Sequence, residues 1–132
     1  LPIAELITPN IPEAEALTGA EITTMSDQLN AGRRLLEHGC GAVLIKGGHL
    51  TGDTAADVLV HADGEQWFTR PRRPGRYHGT GCVLSAAICA RRARGQALAT
   101  ACAGAIEYLQ TCMAAAWRPN AGDLLLLGRP MA

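Results

Sequence analysis

The sequence predicts an α/β fold, with a partial, mostly parallel sheet, flanking helices and one β-hairpin. Two apolar runs, residues 4–8 and 42–45, have the length of buried strands. Two helical patterns separate them, and the order strand, helix, helix, strand indicates a right-handed crossover between parallel strands. Further along, Asp63-Gly64 between two strand-like segments is a strong hairpin signal.

The composition limits the class of protein. A chain of 132 residues suits one domain with one core. The formal net charge is zero, which argues against a nucleic-acid or membrane surface. Five cysteines without a CxxC spacing predict reduced thiols in a cytoplasmic protein, not disulfides or a zinc site. No apolar run approaches the length of a membrane span, and the start lacks the basic region of a signal peptide.

The first strand and helix place two polar residues at a strand end. After strand 4–8, proline at position 12 suits the first turn of a helix, and Gly19 closes that helix. Asn10 and Glu13 therefore follow the carboxyl end of a strand, where open α/β sheets bind their ligands. The alternatives are a turn or cap role for Asn10 and a solvated first-turn carboxylate for Glu13.

The second helix and strand lead to another polar strand end. Ser26 is the predicted N-cap, and the apolar stripe consists of Leu29, Leu35 and Leu36. Strand 42–45 then ends in Lys46-Gly47-Gly48-His49. A lysine there can meet phosphate groups, although a strand-end lysine can also simply reach water.

The second half of the chain begins with the hairpin, whose predicted strands are residues 57–61 and 66–69. An exposed loop over 70–76 is expected to carry Arg70, Arg72, Arg73 and Arg76, and a phosphate-facing role would require this loop to fold over the turn that follows. Helices are predicted over 83–94 and 97–116. The tail after Arg118 is compatible with a strand, a short helix or an interface patch.

The glycine turn that follows the loop, Gly79-Thr80-Gly81-Cys82, precedes a good helix former. The first N–H groups of such a helix have no partner within it, and they attract an anion such as phosphate. The same field favours the thiolate of Cys82. The alternatives are a tight loop without a ligand and a cysteine that is only a small buried residue.

These three polar segments contain the parts that a phosphoryl transferase needs. We expect them to lie on one rim. In order and spacing they resemble the hydroxymethylpyrimidine/phosphomethylpyrimidine kinases of the ribokinase-like superfamily. The resemblance rests on Leu6-Ile7-Thr8-Pro9-Asn10-x-x-Glu13-Ala14, on Ala42 to His49, and on His78-Gly79-Thr80-Gly81-Cys82-x-Leu84-Ser85-Ala86-Ala87. Sugar kinases of the superfamily usually carry Asp at the position of Cys82.

The resemblance implies ATP-dependent phosphorylation of 4-amino-5-hydroxymethyl-2-methylpyrimidine, then of its monophosphate, in thiamine biosynthesis. It implies a Mg²⁺ site at Asn10 and Glu13, and a catalytic base at Cys82. It also implies an anion hole at Gly79, Thr80 and Gly81, and ATP contacts at Lys46, Gly47, Thr80 and Gly81.

The chain departs from the family in two respects. Tyr77 replaces a common threonine, and the match covers only the C-terminal half, residues 1–117, followed by a tail of uncertain structure at 118–132. We expect a homodimer contact or the missing N-terminal half to cover the sheet edge. Two alternatives stay open: a pyridoxal kinase of the same superfamily, and an inactive half-domain that only binds nucleotide or a partner chain.

Overall fold

The structure is a computed structural model that describes residues 2–48 and 50–130. The chain forms two compact units, Leu1–Arg72 and Arg73–Ala132. The first unit contains α1 (Ile11–Thr18), α2 (Met25–Glu37), β1 (Ala42–Ile45), β2 (Thr54–His61) and β3 (Gly64–Pro71). The second contains β4 (Arg76–His78), α3 (Thr80–Ala93), α4 (Leu98–Ala114) and β5 (Leu124–Leu126).

The predicted α/β class is confirmed, and parallel and antiparallel pairing both occur. The buried strand predicted over 4–8 is wrong: this segment is only partly buried and meets β1 through two isolated parallel bridges, of Ile7 with Val43 and of Asn10 with Lys46. Pro9 lies between the two bridges and has no N–H to continue the ladder. β1, β2 and β3 form an antiparallel sheet in that order, because a hairpin joins β2 to β3 and a short loop joins β1 to β2. In the second unit β4 and β5 are parallel.

The core of the first unit lies between its helices and the β1–β2 pair. Leu35 of α2 and Val43, Ile45 and Val58 of the sheet are fully buried. α2 approaches the sheet closely at Gly32, where a Cβ atom would lie 2.7 Å from the Val60 side chain. The glycine thus permits a helix-to-sheet distance that a larger residue would increase.

The predicted N-cap of α2 is wrong by two residues. Thr24, not Ser26, caps the helix, and its hydroxyl accepts the Asp27 N–H at 3.1 Å. Asp27 in turn accepts the Thr24 N–H at 3.0 Å, which completes a capping box. Thr24 is the better cap because a carboxylate follows it by three residues, whereas Leu29 follows Ser26.

The predicted hairpin is confirmed, but its strands are longer than the pattern indicated. Consequently the exposed loop predicted over 70–76 is wrong at both ends. Arg70 lies on β3, where its guanidinium pairs with Asp57, and Arg76 lies on β4. Pairing with β2 extends β3 to Pro71, which alternation of apolar residues alone did not indicate.

The second unit is built on the contact between α3 and α4. Leu84, Ile88, Ala105 and Leu109 are buried within it. Both predicted helices are confirmed, although α3 starts three residues earlier, at Thr80. Within the predicted tail, β5 is a strand paired with β4.

Among residues 2–48 and 50–130, no helix combines the length and the apolar character that crossing a membrane requires.

Candidate functional site

The first predicted site residues, Asn10 and Glu13, form a capping box at the start of α1. Asn10 Oδ1 accepts the Glu13 N–H at 2.8 Å, and Glu13 Oε2 accepts the Asn10 N–H at 2.8 Å. Glu13 is exposed and Asn10 is half-buried. Both residues therefore have a structural role at the helix terminus, and each acceptor oxygen of the box can take one further hydrogen bond or metal contact.

Lys46 and Gly47 lie beside this cap. The Lys46 N–H donates to Pro9 O at 2.9 Å, so the segment before α1 and the end of β1 are tied together. Gly47 is buried, and a Cβ atom there would overlap the carbonyl oxygen of Ala56 and lie 2.9 Å from its carbonyl carbon. Glycine is required at position 47 because the backbone of β2 passes directly against it. His49 lies outside the described residues.

Three buried or half-buried side chains, which the sequence did not identify, hold the end of β1. Gln28, fully buried on α2, donates from Nε2 to Ile45 O at 3.0 Å and to Ala56 O at 2.9 Å. Asp57, 1% exposed, accepts the Gly47 N–H at 2.9 Å. Arg70 then pairs with the Asp57 carboxylate at 2.9 Å and so neutralises a buried charge.

A fourth side chain, Arg72, contacts the loop that joins β1 to β2. Its guanidinium donates to the carbonyl groups of Gly48, Leu50 and Gly52, the last at 2.7 Å. Its own N–H donates to Asp53 O at 2.7 Å. The sequence contains two signals for this network: Asp57 is the one acidic residue in an apolar strand, and a cluster of arginines follows the hairpin. Neither signal specifies which groups pair.

The glycine turn of the second unit is organised quite differently. Gly79 has φ +84°, a left-handed conformation that suits glycine, and it is the N-cap of α3. The helical hydrogen-bond ladder starts with Val83 N–H to Gly79 O at 3.0 Å. No side chain of the described residues caps α3. The amides of residues 80–82 thus precede the ladder, as the anion-hole prediction requires.

Cys82 is exposed in the first turn of α3. It contrasts with Cys102 of α4, which is fully buried and whose pKa is raised to about 11 by loss of solvation. All five cysteines are free thiols in the structure. Beside the turn, His78 is exposed and the Tyr77 hydroxyl donates to Pro74 O at 3.1 Å. This hydrogen bond links residue 77 to residue 74 within the segment that leads into the turn.

The predicted site residues are thus grouped by unit. Asn10, Glu13, Lys46 and Gly47 lie together in the first unit, and Gly79 to Cys82 lie together in the second. No group of three or more His, Cys, Asp or Glu side chains in the described part of the chain could hold a metal ion. The exposed carboxylate of Glu13 suits Mg²⁺ bound through one carboxylate, water and nucleotide phosphates, which is a common arrangement for that ion.

Comparisons of the chain with a family model and with curated relatives indicate the same family. The family model described as phosphomethylpyrimidine kinase matches residues 1–126. The hydroxymethylpyrimidine/phosphomethylpyrimidine kinase of Escherichia coli K12 is 48% identical over 118 residues, which cover 88% of this chain and 44% of the relative. The chain thus spans about half the length of the curated relatives it matches.

Two solved structures show the same architecture. Pyridoxal kinase from Staphylococcus aureus in complex with ADP has a TM-score of 0.90 at 27% identity, covering 96% of this chain and 48% of that one. Phosphomethylpyrimidine kinase from Clostridium difficile 630 has a TM-score of 0.71 at 36% identity, covering 85% and 44%. The match over residues 1–126 and the 48% identity agree with the resemblance found in the three motifs, and the chain belongs to the phosphomethylpyrimidine kinase family.

Proposed function

We propose that the protein is an ATP-dependent kinase that phosphorylates 4-amino-5-hydroxymethyl-2-methylpyrimidine and then its monophosphate. The observation that carries this proposal is the uncapped start of α3 with an exposed cysteine in its first turn, in a chain of this family. The chain spans about half the length of its relatives, so we propose this kinase activity for the complete kinase fold.

The proposed chemistry at α3 follows from its geometry. The amides of residues 80–82 and the positive end of the helix dipole stabilise the negative charge of the phosphoryl group during transfer. Cys82 as thiolate accepts the proton of the substrate hydroxyl. The substrate oxygen then bonds to the γ-phosphorus as the bond to the leaving ADP oxygen breaks. In the second reaction a phosphate oxygen of the monophosphate takes the place of the hydroxyl.

The nucleotide phosphates are assigned to Lys46, Gly47, Thr80 and Gly81, the last two through backbone amides. The Gly47 N–H already donates to Asp57, so its proposed contribution is steric: glycine lets the chain turn close to β2. Lys46 supplies the positive charge. The S. aureus pyridoxal kinase, solved with ADP, supports nucleotide binding by this fold.

Mg²⁺ is part of the proposal. Glu13 would hold it, directly or through water, with Asn10 fixing the carboxylate through the capping box. When bound, Mg²⁺ offsets the charge of the ATP phosphates.

A second candidate, pyridoxal kinase activity, is favoured by one observation. The TM-score to the S. aureus pyridoxal kinase is 0.90, against 0.71 for the C. difficile phosphomethylpyrimidine kinase. Sequence identity points the other way, at 27% against 36% and 48%. We give identity more weight because substrate choice depends on individual side chains, whereas related kinases share a backbone.

We also propose that the N-terminal half of such a kinase, or a second copy of this chain, pairs beside the segment before α1. That segment flanks β1 on the side opposite β2. A cytoplasmic location is part of the proposal, since free thiols suit a reducing compartment.

The test is a side-by-side kinase assay. The chain, alone and mixed with the N-terminal half of the E. coli relative, is supplied with Mg-ATP and either the pyrimidine alcohol or pyridoxal, and ADP release and phosphorylated product are measured. We expect the pyrimidine to be phosphorylated in the mixture. Phosphorylation of pyridoxal only would transfer the assignment to the second candidate. Binding of Mg-ADP without turnover in either preparation would support the inactive half-domain.

A further inference from the structure

One arginine contacts the loop between β1 and β2 (loop 47–53), of which the structure describes residues 47, 48 and 50–53. Three carbonyl groups of this loop, those of Gly48, Leu50 and Gly52, accept hydrogen bonds from the Arg72 guanidinium. The Arg72 N–H adds a fourth contact, to Asp53 O at 2.7 Å. Within the loop itself, Leu50 N–H donates to Gly47 O at 3.2 Å.

These contacts match what a guanidinium does well. Its planar fork presents five N–H donors in a fixed geometry, so a single side chain can fix several carbonyl groups at once. A loop that adopts a single conformation loses backbone entropy, which is unfavourable unless contacts compensate for it. The loop includes three glycines, at positions 47, 48 and 52, which increase that entropy in the absence of a restraint. Arg72 opposes this freedom from the end of β3.

The loop starts directly after Lys46, to which the proposed function assigns nucleotide phosphates. We propose that Arg72 is a positioning residue for nucleotide binding: it keeps loop 47–53 in the conformation that leaves Lys46 and Gly47 arranged for a nucleoside di- or triphosphate. This inference rests on the proposed function. It differs from the expectation of an exposed loop arginine, because the guanidinium contacts three protein carbonyl groups.

Two variants and a matched control test the inference. R72Q removes the fork and the charge, and R72K keeps the charge without the planar fork. R73Q is the control, because Arg73 is the next residue, carries the same charge and is exposed. For each chain, amide hydrogen exchange of loop 47–53 is measured, together with the Kd for Mg-ADP by calorimetry and the midpoint of urea unfolding.

We expect exchange in loop 47–53 to accelerate in R72Q and the Kd for Mg-ADP to rise about 10-fold, as it would if the competent loop conformation fell to about a tenth of the population. R72K should lie between R72Q and the wild type, and R73Q should match the wild type. If R72Q fails to fold by the urea criterion, R72K decides the outcome alone.

Other results would overturn the inference. Unchanged exchange in the loop would show that Arg72 does not order it. Faster exchange with an unchanged Kd would show that loop order does not matter for the nucleotide. A wild-type chain that binds no Mg-ADP would overturn the nucleotide role in the proposed function and this inference with it, whereas equal binding by wild type and R72Q overturns the inference only.

Discussion

The strand end at Lys46–Gly47 and the glycine turn at Gly79–Cys82 are both predicted to face phosphate, yet they are built in opposite ways. Around Gly47 the side chains of Gln28 and Asp57 bind main-chain groups, and no space remains for a Cβ atom. At Gly79 the backbone alone sets the geometry, nothing lies within 4 Å of a Cβ position, and α3 has no side-chain cap among the described residues.

Because of this difference, we expect substitutions at the two places to have different effects. The crowded strand end depends on groups distant in sequence, so substitutions of its buried Gly47 and Asp57 should mainly affect stability. The open turn depends on a short stretch of chain, so substitution of its exposed side chain at Cys82 should mainly affect turnover, and a change of the Gly79 backbone should have only a small effect on stability. The following four predictions test this division.

The largest expected effect is that of Gly47→Ala. The new methyl group would overlap Ala56 O, so β2 must move or the loop must deform, and we expect a loss of at least about 3 kcal/mol in the free energy of unfolding. Gly48→Ala is the matched control, because its Cβ position has no atom within 4 Å among the described residues other than its chain neighbours. It should change stability by less than about 0.5 kcal/mol. Urea unfolding measures both, and equal midpoints for the two variants would contradict the crowding argument.

Cys82→Ala should lower activity and leave stability almost unchanged. Loss of a general base should lower turnover of the pyrimidine alcohol by about 10²-fold, close to 3 kcal/mol in activation free energy. Because Cys82 is exposed, unfolding should change by less than about 0.5 kcal/mol. The assay is steady-state ADP release in the preparation that shows activity, with Cys89→Ala as the exposed-cysteine control. Undiminished turnover would remove Cys82 from the mechanism.

Asp57→Asn should destabilise the protein by about 2 kcal/mol, because the guanidinium of Arg70 loses its carboxylate partner in a largely buried position. The control is Glu65→Gln, which removes the exposed pairing with Arg33 at 3.4 Å. An exposed pair contributes little, so this variant should lie within about 0.5 kcal/mol of the wild type. A denaturant titration compares the two, and a larger loss for Glu65→Gln would reverse the assignment.

The smallest expected effect is that of Gly79→Ala, about 1 kcal/mol, because φ +84° is costly for a residue with a Cβ atom. Gly79→Asn should cost less, since asparagine tolerates this conformation. Thermal unfolding of both variants checks the order. Identical stability of the alanine and asparagine variants would mean that the turn relaxes away from the left-handed conformation.

Local signals account for what the sequence predicted correctly. Four residues, Ala42–Ile45, are all buried and form the predicted strand. The predicted hairpin forms too, but its turn consists of Ala62 and Asp63, one residue earlier than Asp63-Gly64, because Gly64 already pairs with His61. The cap role of Asn10 is one of the stated alternatives for that residue, whereas the reciprocal bond from Glu13 to the Asn10 N–H is not predicted. Such features depend on neighbours within a few positions, so a linear pattern contains them.

Two predictions are wrong for different reasons. Arg70 was expected in an exposed loop because prolines and glycine follow it, but Asp57, thirteen residues earlier, binds it on the neighbouring strand. The N-cap predicted at Ser26 lies at Thr24, because Thr24 is followed three residues later by Asp27, which completes a capping box. The Thr-x-x-Asp spacing is a local signal present in the sequence, whereas the partner of Arg70 is set by strand pairing.

By itself the sequence determined the α/β class, the helices, the hairpin and the family, because short-range patterns and three spaced motifs contain that information. Only the tertiary structure decided that Gln28, Asp57, Arg70 and Arg72 hold the strand end at Gly47 and the loop that follows it. The physical reason is that a buried polar group must find a partner wherever the fold supplies one, and sequence distance does not constrain that choice.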